Sequence, residues 1–380
     1  MHHEKVFEDA IESALLKRGW GRGSNELFDH ALGLNPTELL HFVQATQPKQ
    51  WTRLVTLQAG DEAGAARRLA EVVAKTIDAD GALEVLRHGV KDRGITFRIA
   101  YFRPAHTIAA DALEPYGKNI LSVVRQFRYA AQGNDSVDLA LFVNGIPVAT
   151  AELKNDLTGQ TVEDAKEQYK ARDPKEPVFA KRTLVHFAVD PNLVFLTTRL
   201  AREKTRFLPF NQGTGGPGNK GGAGNPQISE AQISGAQVGE AQIGEAQLSG
   251  AQIGAAGYRT AYLWEQIWES HTWLDLLKRF LHVEDEDVKK GRGRRTQPGK
   301  AHKLPLIFPR YHQWHAVRDL TTHARRYGSG HNYLVEHSAG SGKSNTIAWL
   351  AHSLSNLHTS HSLAEIAPEA LEKGTSAGSC

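Results

Sequence analysis

Two apolar runs joined by Asn144-Gly145 constrain this chain more than any other feature. Residues 138–143 read Asp-Leu-Ala-Leu-Phe-Val, and residues 146–154 read Ile-Pro-Val-Ala-Thr-Ala-Glu-Leu-Lys. Asn-Gly tolerates positive φ at both central positions of a tight turn, so the two runs predict an antiparallel hairpin. A three-residue loop, 144–146, would pair Val143 with Pro147 and set Asp138 opposite Glu152; a different loop length would shift that register. Alternating or apolar stretches at 94–102, 120–129, 184–189 and 193–198 predict further strands. Helical spacing covers 4–18, a start at Asn35-Pro36-Thr37, 61–78, 81–89 and, between strands, 161–172. Helices, strands, a helix and more strands define an α/β unit with a central mixed sheet, ending near residue 207.

Composition narrows the class. The chain has 380 residues, which predicts two domains and a partial third. It has no run of 18 apolar residues, so no membrane span is expected. The start, Met1-His2-His3-Glu4-Lys5, runs into a charged amphipathic segment with no apolar core of a signal peptide. The single cysteine, Cys380, builds neither a disulfide framework nor a zinc site and points to the cytoplasm. A net charge of +3 permits nucleic-acid binding without arguing for it.

The hairpin also carries chemistry. Mg²⁺-assisted phosphodiester cleavage needs hard oxygen ligands, a positioned water, and positive charge near the developing phosphorane. Asp138 and Glu152 on neighbouring strands, with Lys154 two residues beyond on the same face, supply that set. The acidic-x-Lys triplet alone is cheap: Asp164-Ala165-Lys166 and Asp287-Val288-Lys289 also have it. Only Glu152-Leu153-Lys154 ends a β-run whose hairpin partner opens with an aspartate.

A second constellation lies near the C-terminus. The run 332–336 reads as a buried strand and is followed by His337-Ser338-Ala339-Gly340-Ser341-Gly342-Lys343-Ser344, then by helix-like 343–358. Glycines at 340 and 342 let backbone N–H groups curl around phosphates; Lys343 would reach the β- and γ-phosphates of ATP, and Ser344 would ligate Mg²⁺. The strict pattern wants glycine at 337, where this chain has histidine.

The stretch from Asp138 through Asn144-Gly145-Ile146-Pro147 to Glu152-Leu153-Lys154-Asn155 resembles the PD-(D/E)xK nuclease motif of the restriction subunit of type I restriction enzymes. The resemblance takes in Gln168-Tyr169-Lys170, Val185 to Asp190, Thr197 to Leu200 and Phe207 to Asn211, and resumes from Tyr262-Leu263-Trp264-Glu265 to about His358. It implies a nuclease-like mixed sheet flanked by helices, followed by a partial RecA-like α/β domain of a superfamily 2 helicase. It implies that Asp138 and Glu152 bind metal, that Lys154 orients water or stabilises the transition state, and that Gln168 follows the core motif. The tyrosine usual four positions later is replaced by Arg172. Glu8 is the match for an acidic residue on the first helix that often joins the metal, a solvated helix face being the alternative. Phe308-Pro309-Arg310-Tyr311-His312-Gln313 resembles the helicase Q-motif, in which Gln313 would read adenine. The implied partners are double-stranded DNA and the methylation (M) and specificity (S) subunits.

The expected organisation is a nuclease domain at 1–210, an insert at 211–257, a helical connector with a basic loop at 258–303, the start of a RecA-like domain at 304–358 and a divergent tail at 359–380. The insert combines a glycine-dominated stretch with a five-residue repeat, Ala231-Gln232-Ile233-Ser234-Gly235 onward, and reads as an expanded linker with a small ordered coil as alternative. The basic run 289–303 reads as a solvated loop or a phosphate contact. No strand-borne Asp-Glu pair follows Ser344, so the expectation is a truncated subunit unable to translocate DNA. Two other functions stay open: a non-enzymatic remnant that binds DNA or partner subunits, and the nuclease part of another helicase-nuclease.

Overall fold

The computed structural model describes residues 2–104, 110–131, 133, 135–155, 159–212, 228–230, 257–283, 306–328, 330–336, 340–355 and 357. Most of the insert, the basic run 289–303, residues 337–339 and the tail 359–380 lie outside them.

The helices are α1 (His2–Leu16), α2 (Pro36–Thr46), α3 (Pro48–Leu57), α4 (Glu62–Asp80), α5 (Ala82–His88), α6 (Ala110–Gly117), α7 (Val162–Ala171), α8 (Ser270–Asp275), α9 (Tyr311–Tyr327) and α10 (Lys343–Leu354). The strands are β1 (Gly21–Arg22), β2 (Val90–Asp92), β3 (Ile95–Phe97), β4 (Leu121–Arg128), β5 (Ser136–Val143), β6 (Ile146–Leu153), β7 (Val185–Val189), β8 (Val194–Thr197), β9 (Leu208–Pro209), β10 (Ile228–Glu230), β11 (His282–Val283), β12 (Leu306–Ile307) and β13 (Tyr333–Val335). Helix α3 was not anticipated, and the strand expected over 94–102 shrinks to Ile95–Phe97, paired with β2 in a small hairpin.

Contacts divide the chain into two compact units, one spanning 1–104, 109–222 and 247–311, the other 105–108, 223–246 and 312–380. The first is built on a seven-stranded sheet of order β1-β4-β5-β6-β7-β8-β9. Strands β4, β5 and β6 form an antiparallel meander, and β7 runs parallel to β6 after the crossover through α7. The parallel step needs that crossover, because a tight turn can join only antiparallel neighbours. Strands β6 and β7 are buried along their whole length, as a sheet covered on both faces requires.

The hairpin reaches the anticipated pairing by a different route. Its turn is two residues, Asn144 (φ 50°) and Gly145 (φ 83°), so Val143 pairs with Ile146 and Phe142 with Pro147. One residue further the ladder shifts: Leu141 pairs with Ala149, leaving Val148 as a bulge. Pro147 has no N–H to give the ladder, and a bulge is where a sheet tolerates that loss. The inserted residue restores the offset lost in the shorter turn. Leu139 therefore faces Ala151, and the next position along brings Asp138 to Glu152.

The turn is interior. Asn144 is fully buried; its Nδ2 donates to Ile99 O and Asn119 Oδ1, and its Oδ1 accepts from Ile120 N. Gly145 O accepts from Asn35 N at 2.7 Å. Asn35 in turn caps α2, its Oδ1 accepting from Thr37 N and Glu38 N.

The connector expected as a separate segment packs into this first unit. Trp264, Trp268 and Trp273 are fully buried. Trp20 Nε1 donates to Trp268 O at 2.6 Å, Phe7 meets Trp264 edge-on, and Arg87 donates to the carbonyls of Leu277 and Leu281. Large aromatics confined to a linker would expose too much apolar surface, so burial against α1 and β7 is the stable solution.

In the second unit, α9 packs against the loop that enters α10, and β13 pairs antiparallel with β10. Two expectations change. Three residues of the insert are strand, not linker. The segment 332–336, read as a buried strand, is only half-buried, with Leu334 exposed; among the described residues its one strand neighbour is β10. No helix among the described residues is long and apolar enough to cross a membrane.

Candidate nuclease site

Strand alternation places Thr150, Glu152 and Lys154 on one face of the sheet, and α7 lies over that face. Thr150 Oγ1 is bonded to Tyr169 Oη at 2.9 Å and to His186 Nδ1 at 2.8 Å, both buried. Glu152 is 1% exposed and Lys154 6% exposed, so both charges sit away from bulk water. Lys154 is held by its backbone, which donates to Val189 O at 2.8 Å.

Glu152 is ion-paired with Arg172, whose guanidinium also donates to Ser136 O at 2.6 Å and Tyr129 Oη at 2.8 Å. Burial, reinforced by the Asp138 carboxylate, pushes Glu152 up to about 8, against the pull of Arg172 and Lys154. Burial opposes the charge on Arg172, yet the neighbouring Glu152 holds the guanidinium above its ordinary value.

Asp138 is half-buried; its Oδ2 accepts from Leu153 N at 2.7 Å and its Oδ1 from Gln126 Nε2 at 3.3 Å. Glu8 is 8% exposed, which removes the reading of it as a solvated helix position. It pairs with Arg125 at 2.8 Å and accepts from Gln126 Nε2 at 2.8 Å. Burial raises its pKa, with Asp138 adding to the rise and Arg125 opposing it.

The structure thus gathers Asp138, Glu152, Lys154 and Glu8 around one end of the β5–β6 ladder. It does not gather Gln168, which is exposed on α7. The buried face of that helix is Val162, Ala165 and Tyr169, and the same spacing carries Arg172 inward. That helical period was the signal by which Arg172 was findable in the sequence. Gln126 had no such signal.

Among the described residues no three His, Cys, Asp or Glu side chains form a ready cage for a metal ion. Two carboxylates nevertheless fit one. Asp138 raises the proton affinity of Glu152, a repulsion that a divalent cation between them would relieve. Mg²⁺ is commonly held by one or two carboxylates, with water and phosphate oxygens completing its shell.

His186 behind Glu152 carries a consequence for stability. Burial, with Arg172 nearby, lowers its pKa to about 3 from 6.5. Between those values the unfolded chain binds a proton that the native state refuses, so stability falls as pH drops from 6.5 toward 3. Thermal unfolding in EDTA at stepped pH is expected to show this, and His186→Leu should flatten the slope by up to about 1.4 kcal/mol per pH unit. Identical slopes in the two proteins would show that His186 does not titrate this way.

In the second unit, Gly340 (φ 73°) and Gly342 (φ 83°) take left-handed conformations in the loop before α10. Gln313 Nε2 donates to Ser341 O at 3.1 Å and Gly342 O at 2.9 Å, and a Cβ on Gly342 would lie 2.4 Å from that nitrogen. Lys343 and Ser344 are exposed at the first turn of α10.

The mixed sheet with its flanking helices fits a nuclease-like fold. The family described as type I restriction enzyme R protein N terminus matches residues 8–205, just over half of the 380, and the chain belongs to that family. This is the nuclease-bearing N-terminal region of the restriction subunit, whose substrate is DNA. No curated protein matches the chain.

Proposed function

We propose that the chain is a divalent-metal-dependent endonuclease acting on double-stranded DNA within a type I restriction complex. The observation that carries this reading is the convergence of Asp138, Glu152 and Lys154 on one end of the β5–β6 ladder. Asp138 and Glu152 would hold Mg²⁺. The ion, when bound, polarises the scissile phosphoryl group and lowers the pKa of an attacking water. Lys154 presents a desolvated positive charge to the oxygens on which negative charge develops. Arg172, Tyr129 and the Ser136 carbonyl fix the Glu152 side chain, and the Thr150-Tyr169-His186 network fills the space behind it.

Cutting in the assembled enzyme would be coupled to ATP-driven DNA translocation, with methylation and specificity subunits as partners. Support comes from the loop 340–344, where Gly340 and Gly342 take the left-handed backbone that a phosphate-cradling loop requires and Lys343 and Ser344 stand at a helix N-terminus. Gln313, the proposed adenine contact, is tied to that loop. A fluorescent ATP analogue should bind the full chain, and Lys343→Ala should abolish binding. Equal binding by both proteins would remove the loop from the reading.

The direct test is relaxation of supercoiled plasmid by the full chain. Nicking is expected with Mg²⁺ or Mn²⁺, none in EDTA, and none by Asp138→Ala. Residual cutting by Asp138→Ala equal to the unaltered protein would sink the assignment. DNA binding without any metal-dependent cutting would favour the non-enzymatic alternative.

A further inference from the structure

Gln126 is out of keeping with its strand. Among the described residues, the non-glycine ones with positive φ are Ala59, Arg93, Gln126, Asn144 and Arg202. All but Gln126 lie in turns; Gln126, at φ 46°, lies inside β4. Its neighbours Arg125 and Phe127 pair with Leu139 and Val137 in one unbroken register, so no residue is inserted there. The departure re-aims a single side chain, at the position directly across the ladder from Asp138. A non-glycine residue in the left-handed region persists only where surrounding contacts impose it, and such residues cluster at functional sites. Here Asn25 imposes it: Asn25 Nδ2 donates to the carbonyls of Arg125 and Gln126, and Asn25 Oδ1 accepts from Arg128 N at 2.8 Å.

The re-aimed carboxamide has a specific target. Its Nε2 donates to Glu8 Oε1 at 2.8 Å and to Asp138 Oδ1 at 3.3 Å. An amide nitrogen carries two N–H bonds and no charge, so it can join two carboxylates without neutralising either. The bond to Asp138 complements the one from Leu153 N, which fixes the other oxygen.

We propose that Gln126 is a positioning residue of the nuclease site, linking Glu8 to Asp138 so that Asp138 is pre-oriented for a divalent cation. This rests on the nuclease reading of Asp138. Residues that orient a ligand from outside the metal shell typically contribute 10–100-fold in affinity.

The test is Mn²⁺ binding to the full chain by titration calorimetry, alongside thermal unfolding and plasmid nicking across Mn²⁺ concentrations. Gln126→Gly accepts the positive φ without strain and removes the bridge. Gln126→Asn also tolerates that φ but is one methylene too short to span both carboxylates. Both variants are expected to melt within about 3 °C of the unaltered protein and to bind Mn²⁺ about 10-fold more weakly. Their nicking should recover at saturating Mn²⁺, a shift in metal dependence without loss of maximal rate. Unchanged Mn²⁺ affinity in both variants overturns the proposal, as does loss of the fold in both. Asp138→Ala is the separate control: if it binds Mn²⁺ as tightly as the unaltered chain, the nuclease reading itself fails, whatever Gln126 does.

Discussion

Lys154→Met is expected to leave the protein folded and able to bind DNA and metal, but at least about 100-fold slower in cutting. Lys154 is only 6% exposed and its nitrogen lies close enough to Glu152 to favour that carboxylate's charged form. A buried ammonium is poorly solvated, so its field reaches a nearby phosphoryl group with little screening. Methionine keeps the length and much of the volume but has no charge, so the transition state loses its countercharge while packing survives. Removing a buried charge relieves desolvation, although Glu152 loses one favourable neighbour; Arg172 still pairs with it. The melting temperature should therefore hold while the maximal rate of plasmid nicking at saturating Mg²⁺ falls. A rate within tenfold of the unaltered protein, with the fold intact, would take Lys154 out of the chemistry.

Gly145→Ala is the second large effect, and it acts on stability. At φ 83° an alanine is strained by about 1–2 kcal/mol. Its Cβ would also lie 2.2 Å from Asn35 O and 3.1 Å from Leu39 N, both backbone atoms that cannot rotate away. Asn35 caps α2 and donates its own N–H to Gly145 O, so any retreat disturbs the cap and the turn together. We expect a loss of about 4 kcal/mol, a large share of the 5–15 kcal/mol that holds a typical domain. Gly60→Ala isolates the cause. Gly60 has φ 87°, but a Cβ there meets nothing within 4 Å, so it should lose only the strain contribution. Chemical denaturation of the two variants measures the difference; equal losses would show that the contact with α2 carries no weight.

The same hairpin shows how far a linear reading reaches. Asn144-Gly145 and the alternation around it announced two antiparallel strands, and the facing of Asp138 and Glu152 was anticipated from a three-residue loop. The actual turn has two residues, and the bulge at Val148 returns the missing step. A one-residue slip would have sent Glu152 and Lys154 to the opposite face. Pro147 was the visible hint, since a proline inside a paired strand asks for a bulge, but turn and bulge had to be weighed together.

In the sequence Arg172 stands where the family resemblance calls for a tyrosine. Its pairing with Glu152 came from the helical period of α7, which turns 162, 165, 169 and 172 to the sheet while leaving Gln168 outside. Glu8 was a choice between two environments that helical periodicity cannot separate, because whether a polar position is solvated depends on what packs over it. The connector was legible as helical, but the place of its tryptophans 264, 268 and 273 in the core of the first unit was not.

Local order determined the central strands of the sheet, the crossover helix and the hairpin that joins an acidic strand start to a Glu-x-Lys strand end, because periodicity and turn chemistry are properties of neighbours in the chain. The left-handed Gln126, the Arg172–Glu152 ion pair and the burial of Glu8 depend on residues more than a dozen positions apart, such as Asn25 with Arg125 or Glu8 with Gln126. Only the folded sheet brings those groups within hydrogen-bond reach, and only there does the loss of water make their charges depend on one another.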